Sequence, residues 1–224
     1  MLKQLTAAIT LSVSSVAFAA PVYEFSDTTA NNGGGIGDWL DSLHMTWDAG
    51  NEVLNWSSTF NNAAIDSFWL VINDGPNPKV EDTNELVIMY GDLDEGIVTS
   101  YVYNGANNAN SYNTPGIYLQ TDTLTVDGDS ISFTIDASGM NSASVPGDYR
   151  GMVAGPERVG IWYHAAVDSS FTYGENGLIE HYGFGAQGWY DRSNLTMTDV
   201  PEPGTLALFT LGAGALFVRR RRSG

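Results

Sequence analysis

The feature that most constrains this chain is a series of short segments in which apolar and polar residues alternate with period two, each closed off by Gly, Asn, Asp or Pro. That period places every second side chain on one face of an extended strand, and the closing residues are those that make turns. Residues 52–60 carry Leu54, Trp56 and Phe60 on one such face, and residues 65–72 form a nearly unbroken apolar run, expected to be a central strand buried on both faces. Residues 85–90 and 97–103 follow as strands around a loop at residues 91–96. The plainest hairpin joins residues 124–126 to residues 129–135 through Asp127-Gly128, a pair that can supply the positive φ angles of a type I′ turn. Further strands are expected at residues 158–165, 169–173, 178–184 and 194–198, and loops at the Gly-rich residues 31–37 and the Asn-rich residues 104–114. Outside the two ends, no segment repeats apolar residues with the spacing of an amphipathic helix. No internal repeat marks a solenoid or propeller. The pattern therefore predicts an all-β domain of about ten to twelve strands, an antiparallel two-sheet β-sandwich of jelly-roll or lectin-like outline, with a barrel as the alternative.

The chain has 224 residues and no cysteine, so disulfides, thiolate metal ligands and cysteine nucleophiles are excluded and the fold rests on its core. Of its 26 acidic residues, all but Glu202 lie between Ala20 and Asp199, where the basic residues are Lys79, Arg150, Arg158 and Arg192. The formal net charge of the whole chain is −17, and this middle segment is more negative still. Such a surface repels nucleic acid, anionic lipid and acidic polysaccharide, unless divalent cations bridge the like charges.

The two ends have a different composition. Residues 1–19 hold a single charge, Lys3, then an apolar stretch that closes on Ala17-Phe18-Ala19, the small-large-small pattern after which signal peptidase cuts. The stretch is shorter than the ~20 residues of a spanning helix, so residues 1–19 are expected to be a signal helix that is removed. Residues 20–199 are then an acidic extracellular domain. At the other end Pro201-Glu202-Pro203 is followed by an apolar run at residues 204–218 and by Arg219, Arg220, Arg221 and Arg222. The prolines hold the motif extended, the apolar run enters the bilayer as a short transmembrane helix, and the arginines stay on the cytoplasmic side.

In all three parts, and in their order, residues 200–224 resemble the PEP-CTERM sorting signal. The resemblance implies recognition of Pro201, Glu202 and Pro203 by an exosortase, a membrane-embedded cysteine protease or transpeptidase. It also implies a Gram-negative host that makes exopolysaccharide. The protein would be anchored transiently in the inner membrane and then placed on the cell surface or in the extracellular matrix. Exosortase, signal peptidase and a matrix polysaccharide are the partners this predicts, with no nucleic acid among them.

For the middle domain the candidate chemistry is sparse. Asp92, Asp94 and Glu95 share a glycine-flanked loop and can offer oxygens to Ca2+, although the spacing is not that of an EF-hand. The three histidines, His44, His164 and His181, lack the spacing of a zinc helix, though His164 and His181 can meet on neighbouring strands. Trp162, Tyr163, Trp189 and Tyr190, with Tyr182 and Phe184, concentrate late in the chain and form a sugar-binding platform if they share an exposed face. A glycosidase needs two carboxylates at the right separation, for which Glu157, Glu175 and Glu180 are the candidates. Nucleophile-elbow, phosphate-loop, dinucleotide and zinc-protease motifs are absent. The sequence thus predicts an exported, non-catalytic surface or matrix protein without a cofactor, Ca2+ aside. A carbohydrate-binding β-sandwich module is the first alternative, and a glycoside hydrolase or lyase the second.

Overall fold

Period-two alternation produces strands throughout the computed structural model, which describes residues 20–30, 39–61, 64–80, 85–104 and 113–200. The signal helix at residues 1–19 and the tail beyond Val200 lie outside these residues, as do residues 31–37 and most of the Asn-rich loop. In chain order the strands are β1 (Val22–Asp27), β2 (Leu40–Asp48), β3 (Val53–Phe60), β4 (Ser67–Asn73), β5 (Val87–Asp92), β6 (Ile97–Val102) and β7 (Tyr118–Asp127). They continue as β8 (Ser130–Asp136), β9 (Arg158–Val167), β10 (Ser170–Tyr173), β11 (Ile179–Gly183), β12 (Ala186–Thr196) and β13 (Thr198–Val200). One short α-helix, Ser138–Asn141, falls between β8 and β9. Among the described residues no helix is long and apolar enough to cross a membrane.

The all-β antiparallel expectation holds, but the two-sheet sandwich gives way to a single sheet. Eleven strands form one ladder in the order β12-β9-β4-β5-β6-β7-β8-β3-β2-β1-β13, while β10 and β11 pair apart from it. Two corners make it continuous. The first half of β7 pairs with β6 and its second half, from Leu124 to Asp127, pairs with β8. At the other corner only Met197 separates β12 from β13, yet β12 lies on β9 and β13 lies on β1 at the far edge of the order. The chain itself crosses the remaining gap, and the sheet is nearly closed as a barrel. Tyr190 of β12 spans the same gap, donating its hydroxyl to Asp27 Oδ2 of β1 at 2.9 Å.

Alternation fills the interior. β2 turns Leu43, Met45 and Trp47 inward, β3 Leu54, Trp56 and Phe60, and β8 Ile131, Phe133 and Ile135. Aromatic rings occupy the centre, with Trp56 edge-on to Tyr163 at 5.2 Å and Phe68 stacked on Phe133 at 5.7 Å. The Tyr163 hydroxyl is satisfied there by Ser58 at 2.8 Å. Phe68 lies so close to the backbone of β5 that a Cβ on Gly91 would sit 1.9 Å from its ring, so that position admits only glycine.

As predicted, β4 is buried on both faces. Its outward side chains, Trp69 and Val71, join Ile88, Tyr90, Tyr101, Trp162 and Tyr182 in a second apolar cluster beneath the β10–β11 hairpin. The β7–β8 turn differs from expectation. Asp127 pairs with Ser130, so the loop is Gly128-Asp129, and only Gly128 has positive φ (58°). Glycine at the first central position is the pattern of a type II′ turn rather than type I′.

Candidate functional site

Two of the depressions among the described residues differ in chemistry. The first collects the residues read as a calcium loop. The β5–β6 turn brings Asp92, Asp94 and Glu95 beside Asp66, Ser169, Phe171 and Tyr173, around a pocket of about 180 Å3. Asp92 does turn chemistry here: its Oδ1 accepts the Glu95 backbone N–H at 3.1 Å, while its Oδ2 accepts the Tyr173 hydroxyl at 2.6 Å. Burial, then the Asp92 carboxylate, pushes the Tyr173 phenol up and keeps it a donor. Asp66 Oδ2 accepts the Ser169 N–H at 3.0 Å, and its Oδ1 is buried with no protein partner. Asp94 and Glu95 are exposed. Calcium takes roughly six to eight oxygens, and among the described residues no three carboxylate or imidazole groups are arranged to hold a metal ion.

The second depression is larger, about 640 Å3, and crosses the outer face of β2, β3, β8 and β7. His44, Asn55, Ser57, Asp122, Thr123, Thr125, Ser132 and Thr134 line it over Trp56 and Phe133, which belong to the core. A hydrogen-bonded chain runs across three strands: Thr134 Oγ1 donates to Asn55 Oδ1 at 2.7 Å, and Asn55 Nδ2 donates to Thr46 Oγ1 at 3.0 Å. His44 Nε2 meets Glu24 Oε1 at 2.8 Å. Asp122 stands where β7 leaves β8 for β6. It accepts Gln120 Nε2 at 2.8 Å, and burial raises its pKa against that bond, with Asp136 adding to the rise. The signal for this groove in the sequence lies in the polar halves of the alternations, which hold Asn55, Ser57, Ser132 and Thr134.

The late aromatic residues do not form a platform. Trp162 and Tyr163 point to opposite faces of β9 and each is 1% exposed, Trp162 under the hairpin and Tyr163 in the barrel. Tyr190, opposite Tyr163, is also 1% exposed, which leaves only Trp189 of the four half-buried. The period-two rule that makes them strand residues also separates them, and Tyr182 and Phe184 pack in the outer cluster. Among the histidines, His164 is buried between Trp69 (4.2 Å) and Trp189 (6.1 Å), with Nδ1 donating to Gln187 Oε1 at 2.9 Å. His181 is exposed on β11. Glu157, Glu175 and Glu180 are exposed as well, and none lines either depression.

Comparison with known proteins is informative at one place. No curated protein and no solved structure matches the chain. Residues 199–222 match the family described as the PEP-CTERM protein-sorting motif, so the chain carries that motif at its C-terminus, beginning inside β13, the strand that completes the barrel.

Proposed function

We propose that this protein is an exported, non-catalytic component of the cell surface or extracellular matrix, associated with exopolysaccharide and delivered by exosortase processing. The observation that carries the reading is the sorting motif at residues 199–222, which abuts the folded domain without a linker. Signal peptidase would remove residues 1–19 after Ala19. Residues 204–218 would hold the precursor in the inner membrane with Arg219, Arg220, Arg221 and Arg222 on the cytoplasmic side. At ~1.5 Å per residue that run reaches about 22 Å against a hydrocarbon core of ~30 Å, which suits a temporary anchor. Cutting at Pro201, Glu202 and Pro203 would release the barrel whole, since its last strand ends at Val200.

The test is the C-terminal mass of the protein expressed in a host with and without its exosortase. Trimming near Pro201 only when the enzyme is present supports the reading. An Arg219 to Arg222 tail that stays intact in both hosts overturns it. A second reading, a carbohydrate-binding module, is favoured by the polar groove rather than by the buried aromatics.

A further inference from the structure

We propose that the groove on the outer face of β2, β3, β8 and β7 binds a neutral, hydroxyl-rich polysaccharide chain. The choice of ligand rests on the matrix reading above, while the choice of site rests on the groove itself. Strand register places Thr125, Ser132, Ser57 and His44 in one row across four strands, with Thr134, Asn55 and Thr46 in the next. Neighbouring strands are ~4.8 Å apart, so such a row spans about 14 Å, room for a short run of sugar rings.

The lining is preorganised. The Asn55 amide is held from both sides by Thr134 and Thr46, which leaves one Nδ2 hydrogen and one Oδ1 lone pair for a ligand. Glu24 fixes the His44 ring, and Gln120 fixes the Asp122 carboxylate as an acceptor at the groove wall. Groups already held in place lose little freedom on binding.

Charge and apolarity select the ligand class. Among the described residues no Lys or Arg lines the groove, and the chain carries a net charge of −17, so nucleic acids, phosphates and uronate polymers find repulsion without a counter-charge there. Its two large apolar side chains, Trp56 and Phe133, are buried at 2% and 5% exposure, so a lipid or an apolar peptide side chain has no anchor pocket. What remains is a dense, almost neutral array of hydroxyl and amide groups, which pairs with a neutral polyol. Recognition by hydrogen bonds without stacking gives modest affinity at each site, raised on a polymer by repetition.

Affinity electrophoresis suits such binding. The full chain, in a non-ionic detergent without a sugar headgroup, would be run in native gels containing hydroxyethyl cellulose, dextran or galactomannan, and in gels containing alginate. At least one neutral polymer is expected to retard it and alginate is not. Asn55→Ala, and Ser132→Tyr, which fills the groove at an exposed position, should each weaken retardation about fivefold or more, the scale of a lost ligand hydrogen bond. Thr172→Tyr, at an exposed position on β10, should not change it. No retardation in any neutral gel, or equal retardation of both groove variants and the parent, overturns the proposal. Normal C-terminal trimming alongside such a failure would leave the sorting reading standing and remove only the groove.

Discussion

His164 shows how far placement decides the chemistry of a residue. It is 8% exposed on the outer face of β9, between Trp69 and Trp189 and edge-on to Trp162. Burial lowers its pKa to about 3, against the opposing hydrogen bond to Gln187 and with a smaller push from Lys79. In the unfolded chain the same ring titrates near the ordinary 6.5. Between those two values the unfolded state holds a proton that the folded state does not, so stability falls as pH drops through that window. The slope is up to ~1.4 kcal/mol per pH unit. His164→Phe keeps the stacked ring and removes the titration. Urea unfolding of this variant between pH 4 and 6 should show a flatter pH dependence than the parent, even though losing the Gln187 partner makes it less stable at neutral pH. An unchanged slope would mean that His164 is protonated in the fold.

At the scale of elements, the shortest strand has the largest role. β13 has three residues, pairs Tyr23 with Asp199, and leads straight into the sorting motif. A protease takes its substrate as an extended strand with free backbone groups, and those of β13 are shared with β1. Tyr23→Cys combined with Asp199→Cys would lock the pair, and with no other cysteine in the chain only that disulfide can form within it. Exosortase is expected to trim the oxidised double variant roughly tenfold or more slowly than the reduced one, with both single variants trimmed normally. Equal rates would show that β13 stays paired during cutting.

The strands differ in how far the sequence makes them legible. β3, β6, β8 and β9 stand where the strand patterns put them and β4 where its unbroken apolar run did, because each buries one face or both in a single register. β2 carries the same alternation, Leu43, Met45 and Trp47 against His44 and Thr46, and lies outside the expected strands. β12 is different: a bulge between Arg192 and Leu195, with Asn194 at φ 55°, breaks its period, so the expected strand at residues 194–198 straddled the bulge and the crossing at Met197. The acidic pocket was half visible. Asp92, Asp94 and Glu95 adjoin in sequence, whereas Ser169 and Tyr173 reach them only through the tertiary placement of the β10–β11 hairpin. That hairpin also covers Trp162, while the barrel interior takes Tyr163 and Tyr190, so the expected aromatic platform is split between two cores.

For the molecule as a whole, charge is the dominant long-range term. A net charge of −17 is offset within the described fold by few ion pairs, among them Lys79 with Asp191 at 3.5 Å and Arg150 with Asp74 at 3.2 Å. Screening should therefore relieve more repulsion than it costs in attraction. Raising NaCl from ~10 mM to ~150 mM shortens the Debye length from about 30 Å to about 8 Å. The melting temperature at pH 7 is expected to rise by about 2–4 °C, the equivalent of ~1 kcal/mol for a domain of this size. A constant or falling value would place the stabilising weight on the ion pairs instead.

The pairing of Val22 with Val200 has a further consequence. It joins the first strand of the fold to the last, so it closes nearly the longest loop the chain can make, and loop closure of this kind slows folding. On the proposed reading both flanking segments sit in one membrane until they are cut, which confines the two strands to the same patch of surface and raises their effective concentration for each other. Barrel closure is then fastest in the doubly tethered precursor, and a cut made before β13 meets β1 hands the full entropic cost back to a free chain. The timing of the two cleavages relative to folding becomes a determinant of yield.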